Sequence, residues 1–386
     1  MAEPLPRILA LHAFYQVPGG EDQVHRTEVA HLRERGHEVL DVTVENAQLA
    51  TLGTAGRLRA TVSNPATAAM VAEHLREFRP DVAYVNNVFP GLSGSVIEAC
   101  RAHGVPVVRV LHNYRFACVS ANLFRDGKFC DSCVGNPGVA GIVHGCYRDS
   151  RAVSAVATLA RRVDRKASAG AHVIAISRYV RDVAERAGMD AARITVRPNL
   201  TVPGDASPAD SDAAPREVVV FAGRDTPEKG LPDLLTAFAL LRERRPGALL
   251  QIVGPEAPRE LTPGIQWLGR LPHREVTALM AGAGAVAVPS VWPEPFGLVA
   301  VEALAAGTPV VAAASGGLAE LEGDAVRLHT PGSPQSLADA LDATLALPRA
   351  DAAQSARARY ATDFSPDTWY RLTIEAFAGA MEDARG

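Results

Sequence analysis

Apolar residues fall along this chain in two series of short runs, separated by a stretch with no periodicity. The first series is RILAL (7–11), EVLDVTV (38–44), DVAYVNN (81–87), VPVVRVLHN (105–113) and AHVIAIS (171–177). Each run is short and rich in β-branched residues, and a helical or irregular segment follows it, which predicts parallel strands covered on both faces. The first crossover is HAFYQVPGGEDQVHRTEVAHLRERG, a loop and then a helix that turns Val24, Val29 and Leu32 toward the sheet. EVVVFAG (217–223), ALLQIVG (248–254), IQWLG (265–269), AVAVPS (285–290) and PVVAAA (309–314) form the second series. Between the two lies Pro198 to Pro215, rich in Pro, Asp, Ser and Ala, which reads as a boundary. The expected fold is α/β, with two doubly wound, Rossmann-like domains. They occupy 1–198 and 217–364, with a linker at 199–216 and a helical stretch, 365–386, that crosses back onto the first domain.

Composition narrows the class. A length of 386 residues can bury two cores. Hydrophobic residues at 47% and charged ones at 21% are ordinary for a globular protein and exclude a disordered chain. A net charge of −4 supplies no electrostatic attraction for nucleic acid. MAEPLPRILALH has neither a basic n-region nor a long apolar core, and no run approaches 18 apolar residues. No signal peptide and no transmembrane segment are therefore expected, and the expected location is cytoplasmic. No repeat of solenoid length appears. The oligomeric state is not legible.

Several positions carry chemistry. Pro289 to Gly317 ends a strand, makes a Pro-rich loop around Glu294, starts a helix at Gly297 and places Glu302 inside it. The N–H groups of Phe296, Gly297, Leu298 and Val299 lie at the positive end of that helix and invite an anion, flanked by two carboxylates that accept from hydroxyls. Lysine occurs only at 128, 166 and 229, so 36 of the 39 basic residues are arginine. Lys229 shares with Arg224 a loop bounded by Gly223 and Gly230, just beyond a strand end. Pro18-Gly19-Gly20 brings backbone close to the first strand's end, but it is not GxGxxG, and an NAD site is disfavoured. His112 and Asn113 end another strand at the edge where open α/β sheets bind ligands. Residues 114–147 form a cysteine-rich insertion. Its Cys118, Cys130, Cys133 and Cys146 are either four thiols or a tetrahedral, structural zinc site, with His144 as a spare ligand. Cys100 reads as a small buried apolar residue. Arg161, Arg162, Arg165 and Lys166 read as a solvated helix face, with anionic lipid as the alternative ligand.

The spacing of Glu294 and Glu302, set in PEPFG and EALAAGTPVV, resembles the E-x7-E motif of the retaining, family 4 nucleotide-sugar glycosyltransferases of GT-B fold. The resemblance covers nearly the whole chain and is closest at 218–235 and 285–317. It implies two domains facing across a cleft, with the donor on the second and the acceptor mainly on the first. It also implies roles. Glu294 and the amides after it hold the donor sugar, Glu302 the ribose, and Arg224 and Lys229, in GR-x4-KG, the diphosphate. Gly254, Leu268 and Arg270 lie by the base. His112 contacts the sugar near the reacting carbon, and the Gly19-Gly20 loop lies over the phosphates and the acceptor. Gly316, Gly317 and Glu320 match the family's GG-x-x-E, whereas EGDAVRLH departs from its usual continuation. Many relatives carry Asp where this chain has Asn113, which leaves the histidine without a charged neighbour at that position. The implied reaction is transfer from a uridine diphosphate sugar, with retention and without a metal in the chemistry, to a small-molecule, saccharide or lipid-linked hydroxyl. Two rivals stand beside it. They are a nucleotide-sugar epimerase of the same architecture and a catalytically silent sugar-nucleotide-binding protein.

Overall fold

The computed structural model describes residues 5–16, 19–204, 217–258 and 262–385. Pro18 and most of the expected linker, from 205 to 216, lie outside the described residues. Two compact units result, one of Met1–Leu123, Cys130–Leu200 and Trp369–Gly386, the other of Phe124–Phe129 and Thr201–Thr368.

The first unit contains strands β1 (Ile8–Phe14), β2 (Val39–Glu45), β3 (Val82–Val85) and β4 (Val107–Leu111). A hairpin of β5 (Phe124–Arg125) and β6 (Lys128–Phe129) intervenes before β7 (His172–Ala175) and β8 (Ile194–Val196). The large sheet has the order β2-β1-β3-β4-β7-β8, and every pairing in it is parallel. Its helices are α1 (Gly20–Glu34), α2 (Thr54–Val62), α3 (Pro65–Phe78), α4 (Ser95–Ala102), α5 (Val139–Val143), α6 (Arg151–Ala167) and α7 (Arg178–Arg186). All seven residues of β1 are buried, as a strand covered on both faces requires. Val24, Val29 and Leu32 of α1 are buried, and Leu9, Leu11, Val71, Leu75, Val85 and Ile97 pack in one core.

A polar knot sits inside this unit. The fully buried Arg197 guanidinium donates to Glu28 Oε1 at 2.8 Å and to the Tyr84 hydroxyl at 2.8 Å. Tyr84 in turn donates to Glu28 Oε2 at 2.6 Å, and Trp369 Nε1 donates to Glu28 Oε1 at 3.1 Å. These bonds fasten the last helix to α1 and β3. A buried ion pair needs such further hydrogen bonds to offset its desolvation, and here they engage every polar atom of the pair except Arg197 Nε, which is buried without a partner.

The second unit contains β9 (Val218–Ala222), β10 (Leu249–Val253), β11 (Ile265–Gly269), β12 (Ala285–Val288), β13 (Val310–Ala313) and β14 (Val326–His329). The order is β11-β10-β9-β12-β13-β14, again all parallel. Its helices are α8 (Leu231–Arg244), α9 (His273–Gly282), α10 (Leu298–Ala305), α11 (Pro334–Leu345) and α12 (Arg349–Asp363), and α13 (Pro366–Asp383) ends the chain. Phe221, Leu234, Phe238, Leu250, Ile252 and Leu341 lie at the centre of its core. The chain runs outward from β9 to β11 and then returns to β12 on the other side of β9. That reversal opens a crevice at the carboxyl ends of β9 and β12.

Two expectations about the cysteines and the basic helix meet the structure here. Among the described residues, no three His, Cys, Asp or Glu side chains are grouped so as to hold a metal ion, so the arrangement of Cys118, Cys130, Cys133 and Cys146 lends the expected zinc site no support. Cys118 Sγ instead lies 3.2 Å from Ser120 Oγ, and Cys130 Sγ lies 3.4 Å from Ser132 Oγ. Burial pushes the Cys133 thiol above its ordinary pKa, and the nearby Cys118 and Cys130 thiols act in the same direction. Nor is Arg161 part of a solvated face. It is buried, donating from Nη1 to Ala117 O at 2.6 Å and Cys133 O at 3.1 Å, and from Nη2 to Asn136 O at 3.0 Å. It thereby clamps the insertion onto α6. Cys100 is buried as expected, its thiol pushed up to about 12 by desolvation.

Candidate active site

In the second unit the loops after β9 and β12 flank the reversal point, and they carry Lys229 and Glu294. Val291 N–H donates to Glu228 O at 3.0 Å and so ties one loop to the other. Gly230 has φ +71°, and a Cβ there would lie 2.0 Å from Pro289 O, so only glycine lets the loops approach this closely. Pro293 and Pro295 keep the intervening segment out of helix, and the Glu294 carbonyl accepts from Gly317 N–H at 2.7 Å. The Gly316-Gly317 turn thus acts as a backstop to the Glu294 loop.

Glu294 is enclosed by donors. Lys229 Nζ donates to Oε1 at 3.0 Å and to Oε2 at 2.9 Å, while Ser290 Oγ and Trp292 Nε1 donate to Oε2 at 2.8 and 3.0 Å. Burial alone would raise this carboxyl, but the Lys229 charge and these hydrogen bonds outweigh it and hold the pKa below the ordinary value. Glu294 is therefore an anion under all physiological conditions. Lys229 also stands 5.5 Å from the Trp292 ring centroid, an attraction of the cation–π kind.

Glu302 has the opposite character. It sits in the first turns of α10, and burial raises its carboxyl to about 7. His273 Nδ1 lies 3.9 Å from Oε1. Gly297 opens α10 at φ +95°, where a Cβ would meet Leu318 Cδ2 at 2.3 Å. Phe296 is buried, whereas Leu298 and Val299 are partly exposed. Arg224 is in the same loop as Lys229 but largely exposed, 3.9 Å from Glu228. At the other side of the sheet Gly254 N–H donates to Gly269 O at 2.7 Å, which joins the ends of β10 and β11. Leu268 is half-buried there and Arg270 exposed.

In the first unit the carboxyl edge is more polar than the sequence reading anticipated. Gly19 caps α1, and its N–H donates to Asp22 Oδ2 at 3.1 Å; Gly20 is the first residue of the helix. His112 Nε2 lies 2.7 Å from Asn86 Oδ1 and Nδ1 lies 3.1 Å from Asn199 Oδ1. Desolvation, with the Arg197 charge and then that of His12, holds the His112 pKa well below its ordinary value, so the ring is neutral. Asn113 Nδ2 donates to Glu21 Oε2 at 2.9 Å, and the Tyr15 hydroxyl donates to the same oxygen at 3.0 Å. Desolvation raises the Glu21 carboxyl and outweighs these bonds. Glu21, Asn86, His112, Asn113 and Arg115 line an open cavity. Glu21, Tyr15, Asn86, Ser290 and Trp292 were not singled out from sequence. Only the Asn86-Asn87 pair at a strand end offered a visible signal.

Comparison with known proteins fixes the class. The family description "Glycosyl transferase 4-like domain" matches residues 19–200, and "Glycosyl transferases group 1" matches residues 207–361. The fold agrees with that of solved glycosyltransferases. A crystal structure of Anabaena Alr3699/HepE in complex with UDP-glucose aligns with TM-score 0.66 at 22% identity, over 96% of this chain and 99% of that one. The chain belongs to the group 1, family 4-like glycosyltransferases of GT-B fold. Among curated relatives, the glycogen synthase of Mycobacterium tuberculosis is 34% identical over 181 residues, which is 43% of this chain and 44% of that protein. A phosphatidyl-myo-inositol mannosyltransferase of Mycolicibacterium smegmatis is 28% identical over 356 residues, 85% of this chain and 81% of that protein. The chain thus spans less than half the length of the first curated relatives it matches.

Proposed function

We propose that the chain transfers a glycosyl group from a nucleotide diphosphate sugar, with retention at the anomeric carbon, to a hydroxyl acceptor. The observation that carries this reading is the Lys229–Glu294 pair at the reversal point of the second sheet, next to the start of α10. A leaving diphosphate needs cations and oriented dipoles, and a transferred sugar needs a permanent hydrogen-bond acceptor. Lys229, Arg224 and the amides around Gly297 supply the first. Glu294, ionised throughout the physiological range, supplies the second, and Glu302 accepts from the ribose. Gly254, Leu268 and Arg270 attend the base, which we take as uracil because the aligned Anabaena protein binds UDP and UDP-glucose. The chemistry as proposed routes no step through a metal. With no carboxylate placed as a nucleophile, the leaving phosphate oxygen takes the acceptor's proton on the same face of the sugar.

The donor is assigned to the second unit. The acceptor, a small molecule, saccharide or lipid-linked alcohol, is assigned to the first, beside Glu21, His112 and Asn113. Among the described residues no helix is long and apolar enough to cross a membrane, and the proposed setting is the cytoplasm, where nucleotide sugars are made. Incubation with a panel of nucleotide sugars tests the reading. Release of the nucleoside diphosphate with an α-linked product supports transfer from an α-linked donor. An epimerised nucleotide sugar would indicate the epimerase, and tight binding without turnover the silent binder.

A further inference from the structure

Five side chains of the first unit are joined by one chain of hydrogen bonds that reaches the carboxyl edge of its large sheet. His25 Nε2, on α1, lies 3.0 Å from Asp41 Oδ1 on β2. Asn86 Nδ2, just after β3, lies 3.2 Å from His25 Nδ1, and Asn86 Oδ1 lies 2.7 Å from His112 Nε2, just after β4. His112 Nδ1 lies 3.1 Å from the carboxamide of Asn199, beyond β8. His25, Asn86 and Asn199 are buried, His112 is partly buried, and Asp41 keeps a quarter of its side chain exposed.

Such a chain has a direction. A carboxylate only accepts, so His25 carries its proton on Nε2. His25 is stacked on His12, with centroids 4.4 Å apart and planes 13° from parallel. His12 Nε2 lies 2.9 Å from Asp22 Oδ1, and His12 Nδ1 is buried without a partner, as suits an unprotonated nitrogen. The other nitrogen of His25, Nδ1, faces the amide NH₂ of Asn86, which can only donate, so His25 Nδ1 is a lone pair that accepts from Asn86 Nδ2. That fixes the amide of Asn86, whose oxygen must accept from His112 Nε2–H. His112 Nδ1 is then an acceptor, and a half-turn of the Asn199 carboxamide presents its NH₂ there.

The geometry points to Asp41, His25 and Asn86 as positioning residues that hold His112 as the neutral Nε2–H tautomer. Asp41 sets the direction and the other two transmit it. The role rests on the proposed reading in which His112 serves the reacting sugar. A sugar carbon that gains positive charge as its bond breaks is better served by a neutral, oriented imidazole than by a cation. The groups facing this chain are Asp22, His12, Glu21 and Arg197, and none of them supplies His112 with a carboxylate contact.

Histidine-selective ¹⁵N NMR of the unliganded chain tests the assignment. The His112 signal is identified by its loss in His112→Gln or, should that variant not fold, through backbone assignment. At pH 7 we expect one protonated nitrogen, Nε2, and one unprotonated, Nδ1. A doubly protonated ring or an Nδ1–H tautomer overturns the proposal. Asp41→Asn should give a mixture of both tautomers at His112, and an unchanged spectrum would remove Asp41 from the role. With a nucleotide sugar that the wild type turns over, Asp41→Asn should lower kcat roughly 10- to 100-fold while KM for the donor changes little, and an unchanged kcat counts against positioning. If the wild type turns over no nucleotide sugar at all, the transfer reading fails, and the tautomer assignment still stands or falls on its spectra.

Discussion

Lys229 Nζ donates to both carboxylate oxygens of Glu294, at 3.0 and 2.9 Å, although 65 positions separate the two residues. An ammonium has three protons, so this pairing leaves one for a ligand. The lysine that is proposed to neutralise a diphosphate is therefore oriented by the glutamate that is proposed to hold the sugar. The two roles are coupled before any donor binds.

Replacing Lys229 by Ala removes one proposed donor to the leaving diphosphate and leaves Glu294 buried without its cation. Turnover should fall by roughly two to three orders of magnitude, the usual consequence of losing one such transition-state donor. Lys229→Arg should recover only part of it, because a bulkier planar fork keeps the charge but cannot occupy the position of a compact ammonium between Glu294 and the diphosphate. Single-turnover kinetics with the donor found by screening would measure both. Near-normal turnover in Lys229→Ala would remove the residue from the mechanism.

Glu302 predicts two pH dependences. An exposed Glu titrates near about 4.3, and burial brings this one to about 7. Between these values the folded chain holds a proton that the unfolded chain has lost. Stability attributable to Glu302 should therefore fall as pH rises through that window and level off above it, by about 4 kcal/mol at most. Glu302→Gln should thus be more stable than wild type at pH 8 and not at pH 5, by urea denaturation. Ribose hydroxyls donate best to a carboxylate, so the affinity of wild type for uridine diphosphate should rise from pH 6 to pH 8. Titration calorimetry on Glu302→Ala should show weaker binding without that rise; an unchanged affinity would take the ribose away from Glu302.

The two sheets were legible because ten of the twelve parallel strands are short apolar runs, most of them ending in Gly, Pro, Ser or Asn. The two not anticipated, β8 and β14, are the last strand of each sheet, with only three and four residues. One of them lies inside EGDAVRLH, where the family resemblance weakened. Edge strands bury little and leave a faint pattern. Glu294, Glu302 and Lys229 were legible because prolines and glycines on either side restrict the backbone locally. The donors Ser290 and Trp292, the Asn86–His112–Asn199 bonds and the inward turn of Arg161 were not. They depend on which loops the topology brings together, and no spacing along the chain encodes that. The cysteine spacing suggested a metal cage, and no group of three such ligands is found among the described residues.

The buried knot in the first unit makes a prediction about stability alone. Glu28 accepts from Arg197, Tyr84 and Trp369, and Arg197 is completely enclosed. Glu28→Ala leaves a guanidinium buried without its counter-ion and should cost about 3–5 kcal/mol. Trp369→Phe deletes one donor and keeps most of the apolar contact, and should cost about 1 kcal/mol. Denaturant titrations of the three chains would order them, and a mild effect of Glu28→Ala would mean that water reaches Arg197.

Glu294→Gln separates shape from charge at the proposed sugar site. The wild-type carboxylate receives donors at every occupied position, three on Oε2 and one on Oε1. A carboxamide has one oxygen to offer. If that oxygen faces Ser290 and Trp292, its NH₂ meets the Lys229 ammonium, and two donors then face each other at about hydrogen-bond distance. Lys229 should be displaced, so the substitution should harm turnover nearly as much as Lys229→Ala, and the double variant should be little worse than either single one. Uridine diphosphate binding should change far less than in Glu302→Ala, because the nucleotide lacks the sugar that Glu294 is proposed to hold. Additive losses in the double variant would show that Lys229 and Glu294 act independently, and equal losses of nucleotide affinity in Glu294→Gln and Glu302→Ala would overturn the division between sugar and ribose.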